Sequence, residues 1–133
     1  MKKTYTGSCH CGAVRFAVEI DLAAETSRCN CSICTKARFW KAIVTPDAFR
    51  LLRGEENLAT YQFGGRNIRH RFCRCCGVKP FGQGHMPQLG DFYAVNLACL
   101  DDASDDVLAA APVAYQNGRD DDWGSPPAET GPL

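Results

Sequence analysis

Cys29-Asn30-Cys31-Ser32-Ile33-Cys34 places three thiols in six residues, spaced C-x-C-x-x-C. The thiolate is the metal-binding form of cysteine, and zinc takes sulfur in tetrahedral geometry. A C-x-x-C segment doubles back, so both of its sulfurs reach one ion. The C-x-C pair adds a third, because residues two apart on an extended chain share a face. Three local ligands leave one tetrahedral corner for a substrate or water. The rest of the chain is expected to hold this ion and to shape what reaches it.

The chain has 133 residues, 45% of them hydrophobic, enough for one domain with its own core. Lys+Arg and Asp+Glu number 15 each. A formal net charge of zero gives no general attraction to nucleic acid or to an anionic membrane, and neither is expected as a partner. Met1 to Gly7 has two lysines but no apolar run behind them, so it does not read as a secretory signal. No segment approaches the roughly 20 apolar residues of a spanning helix. The expected location is the cytoplasm. Nine cysteines there point to metal rather than to a disulfide framework, since the count is odd and no export signal accompanies it.

Outward from the thiols the chain reads as short strands. Val14, Phe16, Val18 and Ile20 alternate with polar residues, a half-buried strand pattern. Asp21 to Ser27 reads as a connection. Arg38 to Val44 is aromatic and β-branched, hence a strand. Thr45-Pro46-Asp47 suggests one helical turn. Arg50 to Arg53, Leu58 to Phe63 and Asn67 to Phe72 read as strands, the last two joined through Gly64-Gly65. Val78 to Gly90, with three glycines and two prolines, reads as a strand end followed by a loop. Asp91 to Leu97 is a strand, and Ser104 caps a short helix stopped by Pro112. This makes a mainly β fold of about seven short strands with one or two helical turns. Its organisation is a zinc-binding domain over residues 1–118 and an irregular tail over 119–133, with Trp123 as the anchor.

Two outlying pairs, Cys9/Cys11 and Cys73/Cys76, form a closed four-sulfur set suited to a structural zinc. Cys73/Cys75 is the competing pair. Cys76 is preferred because a C-x-x-C followed by Gly77 matches a zinc knuckle whose turn needs positive φ. Zinc with four thiolates carries −2 and has no vacancy, whereas three thiolates leave −1 and an acceptor position. Cys99 reads as a small buried hydrophobe or as a fourth ligand of the open site. His10 points away from its flanking ligands, His70 reads as structural, and His85 lies in the glycine-rich loop. Lys36 and Arg38, next to the three-thiol stretch, are the candidate contacts for an anionic thiol substrate. The basic stretch Arg66, Arg69, Arg71, Arg74 and Lys79 reads mainly as a solvated face.

Cys9-His10-Cys11-Gly12, the C-x-C-x-x-C stretch, Phe72-Cys73-x-x-Cys76-Gly77 and Val95-Asn96-x-x-Cys99-Leu100 together resemble the glutathione-dependent formaldehyde-activating enzyme family, which includes centromere protein V. The resemblance spans about residues 5 to 118. It implies a β-tent with two zinc ions: a structural site of Cys9, Cys11, Cys73 and Cys76, and a reactive site of Cys29, Cys31 and Cys34. It also implies a carbon–sulfur lyase-type activity that joins formaldehyde to the sulfur of glutathione. Two features depart from the family pattern. Thr35-Lys36-Ala37-Arg38-Phe39-Trp40 is bulky where many members are small, which would reshape the thiol pocket, and Cys75 is additional. The alternatives to an enzyme are a zinc-stabilised binding module and a thiol carrier without turnover.

Overall fold

A computed structural model describes residues 1–133. The strands are β1 (Lys3–Ser8), β2 (Arg15–Ile20), β3 (Thr26–Cys29), β4 (Trp40–Val44), β5 (Phe49–Arg53), β6 (Leu58–Tyr61), β7 (Ile68–Cys73), β8 (Phe81–Met86), β9 (Gly90–Asn96) and β10 (Val113–Gln116). Two six-residue helices, α1 (Ser32–Ala37) and α2 (Asp105–Ala110), interrupt them. One sheet has the order β1-β2-β5; the other runs β10-β3-β4-β9-β8-β7-β6. Strand pairs are antiparallel except β10 with β3, which is parallel. The mainly β class, and the β-tent that the resemblance implied, are what the chain adopts.

The two sheets close over a core supplied by the alternation in β2. Phe16, Val18 and Ile20 are buried while Glu19 is exposed. Phe49 enters from β5, stacks on Tyr93 at 4.1 Å and on Phe16 at 5.5 Å, and meets Phe81 at 4.7 Å. Fully burying one such ring contributes about 1.5–3 kcal/mol, so this cluster is the main apolar tie between the sheets. The Pro46–Ala48 turn forms as the proline suggested, and Ser104 Oγ accepts from the Val107 N–H at 3.2 Å to cap α2.

Three stretches fold differently from the sequence reading. Asp21 to Ser27 is not all connection: Thr26 and Ser27 are buried in β3, between β4 and β10. Polar Thr26 is accommodated there because its hydroxyl donates to Pro112 O at 2.6 Å and accepts from Trp40 Nε1 at 2.8 Å. Val78 to Gly90 is not a strand end and loop. It holds β8, paired on both sides, and its glycines fit close packing. A Cβ on Gly84 would stand 2.9 Å from Asn67 O and 3.0 Å from the Phe92 ring. Val113 to Gln116, unassigned in sequence, is the edge strand β10.

Candidate metal centres and the cavity beside the three-thiol stretch

Two hairpin turns bring the outlying cysteine pairs together. Gly12 and Gly77 both sit at φ +80°, which lets each knuckle reverse immediately after its cysteines. Cys9 Sγ and Cys11 Sγ lie 3.6 Å apart, Cys11 Sγ and Cys73 Sγ 3.7 Å apart, and all four sulfurs fall within 4.8 Å of one another. The backbone is aimed at them: the Val14 N–H donates to Cys9 Sγ and the Cys75 N–H to Cys73 Sγ, each at 3.4 Å. Donation from the Val78 N–H, outweighing some burial, brings Cys76 down to about 6. Cys11 goes the other way. The Ala13 N–H pulls it down, but burial and the Cys73, Cys9 and Cys76 sulfurs together push it up to about 12. Four adjacent thiolates repel; a divalent cation removes that conflict. The set fits zinc, and it contains Cys76, not Cys75. The Cys75 thiol is exposed and turned to Asn57 Oδ1 at 3.7 Å.

The three-thiol stretch crosses from β3 into α1. Cys29 ends the strand, Cys31 is the residue before the helix, and Cys34 lies in its first turn. The Cys31 and Cys34 thiols hydrogen-bond to Cys29 and hold it well below the ordinary thiol range. The same contacts, Cys29 first, push Cys34 far up. The three thiols are therefore near enough to bias one another's ionisation, although the close clustering of sulfurs within 4.8 Å belongs to the four-sulfur set. As a donor set, three cysteines also fit zinc.

The tail beyond residue 116 builds part of this centre. Asn30 Nδ2 donates to Asn117 Oδ1 at 2.9 Å, and Asn30 Oδ1 accepts from the Arg119 N–H at 2.9 Å. Both asparagines are buried. The Gly118 N–H donates to Cys29 sulfur, and a Cβ at Gly118 would stand 2.7 Å from Cys29 Sγ and 2.7 Å from the Trp123 ring. Trp123 is half exposed and donates to Asp121 Oδ1 at 2.8 Å. Pro127 is buried, and Arg38 Nη1 reaches Pro132 O at 2.9 Å.

Cys34 forms part of the wall of a cavity of about 310 Å³. Phe39, Ile68, Phe92 and Ala94 contribute apolar wall, and Lys41, His70 and Lys79 the polar groups. Lys79 Nζ lies 2.7 Å from His70 Nδ1 and 4.0 Å from the Phe39 ring centroid. Burial lowers Lys79 to about 8, against the upward pull of Cys34 and Cys31. Burial, then the Lys79 charge, lowers His70 to about 4, so His70 is neutral and its Nδ1 accepts from the ammonium. Lys41 Nζ donates to Gln116 Oε1 at 3.0 Å.

Lys36 and Arg38 do not line this cavity, but Arg38 borders a separate small pocket with Cys29 and Cys34. Lys36 is exposed beside Ile33, Tyr61 and Phe63, and Arg38 is the exposed residue closing α1 at φ +52°. Cys99 is buried, with Cys9 and Cys76 among the charges that raise it to about 12 after burial itself. It therefore lies on the side of the four-sulfur set. His10 is exposed; His85 is exposed and paired with Asp91 at 2.8 Å. Sequence reasoning took Lys79 for part of a solvated basic face and passed over Lys41, Asn30, Asn117 and Gly118. One signal was present: a buried-type pattern of Lys79 between Val78 and Pro80-Phe81.

The model of the glutathione-dependent formaldehyde-activating enzyme family matches residues 4–116. The chain belongs to that family. A crystal structure of a Rhodobacter sphaeroides protein is 37% identical, covering 82% of this chain and 99% of that one, with a TM-score of 0.70. The matched region carries every cysteine of both sets. It stops before Gly118 and Trp123, so the contacts that these residues make to the three-thiol centre lie outside it. No helix is long and apolar enough to cross a membrane.

Proposed function

We propose that this family member catalyses the addition of a small carbonyl to the sulfur of glutathione or a related thiol, and the reverse cleavage, at a zinc held by Cys29, Cys31 and Cys34. A second zinc, held by Cys9, Cys11, Cys73 and Cys76, would be structural. The observation that carries this reading is the position of Cys34: one of three thiols that influence one another's ionisation, in the wall of a cavity that also contains Lys79. When bound, zinc supplies a positive charge that lowers the pKa of a nearby thiol.

The chain's own groups account for the remainder. In the forward direction the thiolate sulfur attacks the carbonyl carbon; a C–S bond forms, and the carbonyl π pair moves to oxygen, which must gain a proton. Lys79 Nζ is a donor in the same cavity, brought near neutral pH by burial and steadied by neutral His70. In cleavage it takes that proton back. Phe39 and Phe92 give this cavity apolar wall. Lys36, outside the cavity, could meet only a portion of substrate that extends past α1, whereas Arg38 borders a small pocket beside Cys29 and Cys34.

Thiols and formaldehyde combine unaided, so the test is exchange at equilibrium. Magnetisation transfer between free formaldehyde and its glutathione adduct should accelerate with wild-type protein and not with Cys31→Ser. Lys79→Met should lower the accelerated rate about a hundredfold while retaining zinc. Unchanged exchange with wild type would leave a carrier or a binding module.

A further inference from the structure

We propose that the cavity beside Cys34 selects a thiol with a single negative charge and an apolar body, of the alkyl or aryl thiol class, over a polyionic thiol such as glutathione. The inference rests on the reading of the three-thiol centre as a thiol site and specifies what that site admits.

Nine of the fifteen residues around the cavity are hydrophobic. Its charged wall groups are Lys41 and Lys79, with no carboxylate among the lining residues. Neither lysine is in an ion pair: Lys41 is held by Gln116 Oε1 and Lys79 by His70 Nδ1. The site therefore offers positive charge at one place and apolar surface elsewhere. A thiolate head answers the first and an aliphatic or aromatic body the second. Glutathione brings two carboxylates and an ammonium besides its sulfur. Its ammonium would find no carboxylate in this lining, and a carboxylate beyond reach of the two lysines would lose water against Phe39, Ile68 and Phe92 without gaining a partner.

The rim continues the same chemistry. Ile43, Leu89 and Trp123 are 42%, 58% and 56% exposed, and all three border this cavity. Large hydrophobic side chains left in water around an apolar opening mark a ligand-binding mouth more often than a neutral surface. A substrate longer than the cavity would thus meet more apolar surface as it emerged. The bulky Phe39, which the sequence places just past the third cysteine, supplies the inner wall.

The test is calorimetric titration of the zinc-loaded protein with benzyl mercaptan, glutathione and benzyl alcohol at one pH and ionic strength. Benzyl mercaptan should bind at least about tenfold more tightly than glutathione, as expected for burying one aromatic ring. Benzyl alcohol, with the same body and no thiol, should bind at least about tenfold more weakly than the mercaptan. Leu89→Glu, at an exposed position, should weaken benzyl mercaptan severalfold with zinc content and melting temperature unchanged. Glutathione binding as tightly as benzyl mercaptan, or Leu89→Glu without effect, overturns the selectivity and leaves the thiol site standing. Binding of neither thiol, or of alcohol and mercaptan alike, overturns the thiol site itself.

Discussion

His70 is 6% exposed and takes up a proton only near pH 4, against 6.5 in an unfolded chain. Between those values the unfolded state binds more protons, so stability falls as pH drops through the window. Moving from pH 7.5 to pH 5 should cost about 2 kcal/mol at this residue. Urea midpoints of wild type and His70→Gln at both pH values should differ by that loss; equal pH slopes would show that His70 titrates normally. The cysteines separate by role at the same scale. Cys76→Ser breaks the four-sulfur set; if that set holds the proposed structural zinc, its affinity would be folding free energy on the order of 10 kcal/mol, and the variant should lose the folded circular-dichroism signal. Cys31→Ser should lose one zinc per chain and remain folded. Equal melting temperatures for the two variants would contradict the division into structural and reactive sets.

At the scale of elements, α1 is too short to be stable alone: six residues, no buried side chain and no side-chain cap. Its place is set by what flanks it, β3 on one side and the Gly118–Asp120 turn on the other. Gly118→Ala would drive a methyl into Cys29 Sγ, Cys31 Cβ and Trp123. Since the neighbours must shift, the expected cost is about 1–3 kcal/mol. One zinc of two should dissociate readily from this variant, with the four-sulfur zinc retained, as followed by a colorimetric chelator. Retention of both ions at wild-type rates would mean that the tail does not shape the three-thiol centre.

Across the whole molecule, the four-sulfur set ties the β1–β2 turn to the end of β7, one sulfur pair from each sheet. The three-thiol set lies instead at the β3–α1 junction, away from the buried Phe16–Phe49–Phe81 cluster. Chelation should therefore proceed in two phases. The first zinc should leave with the fold intact, and the second should leave with loss of near-ultraviolet dichroism. Simultaneous loss would place both ions in the same cooperative unit.

Much of this was legible in the chain. Cysteine spacing paired Cys9/Cys11 with Cys73/Cys76, and Gly77 separated Cys76 from Cys75, because a reversing knuckle requires positive φ and leaves Cys75 outward. Period-two alternation located β2, and Ser104 located α2. The signal failed where residue type and environment disagree. Gly82 and Gly84 look like loop residues, yet they lie in a paired strand, and at Gly84 the Asn67 carbonyl and the Phe92 ring stand too close for a side chain. Thr26 looks like a connection residue, yet it is buried because Pro112 and Trp40 satisfy its hydroxyl. Lys79 looks like part of a basic face, yet the segment leading into β8 lays its side chain over Phe39.

Sequence alone determined the donor chemistry, the grouping of Cys9 and Cys11 with Cys73 and Cys76, and the mainly β class, because each shows in spacings or periodicities a few residues long. Only the tertiary structure decided what surrounds the open set: the lysines that charge the cavity, the apolar walls, and the tail residues against Cys29. Those neighbours come from β4, β8, β9 and the segment after β10, and no local pattern records which distant side chains a folded sheet will bring to one place.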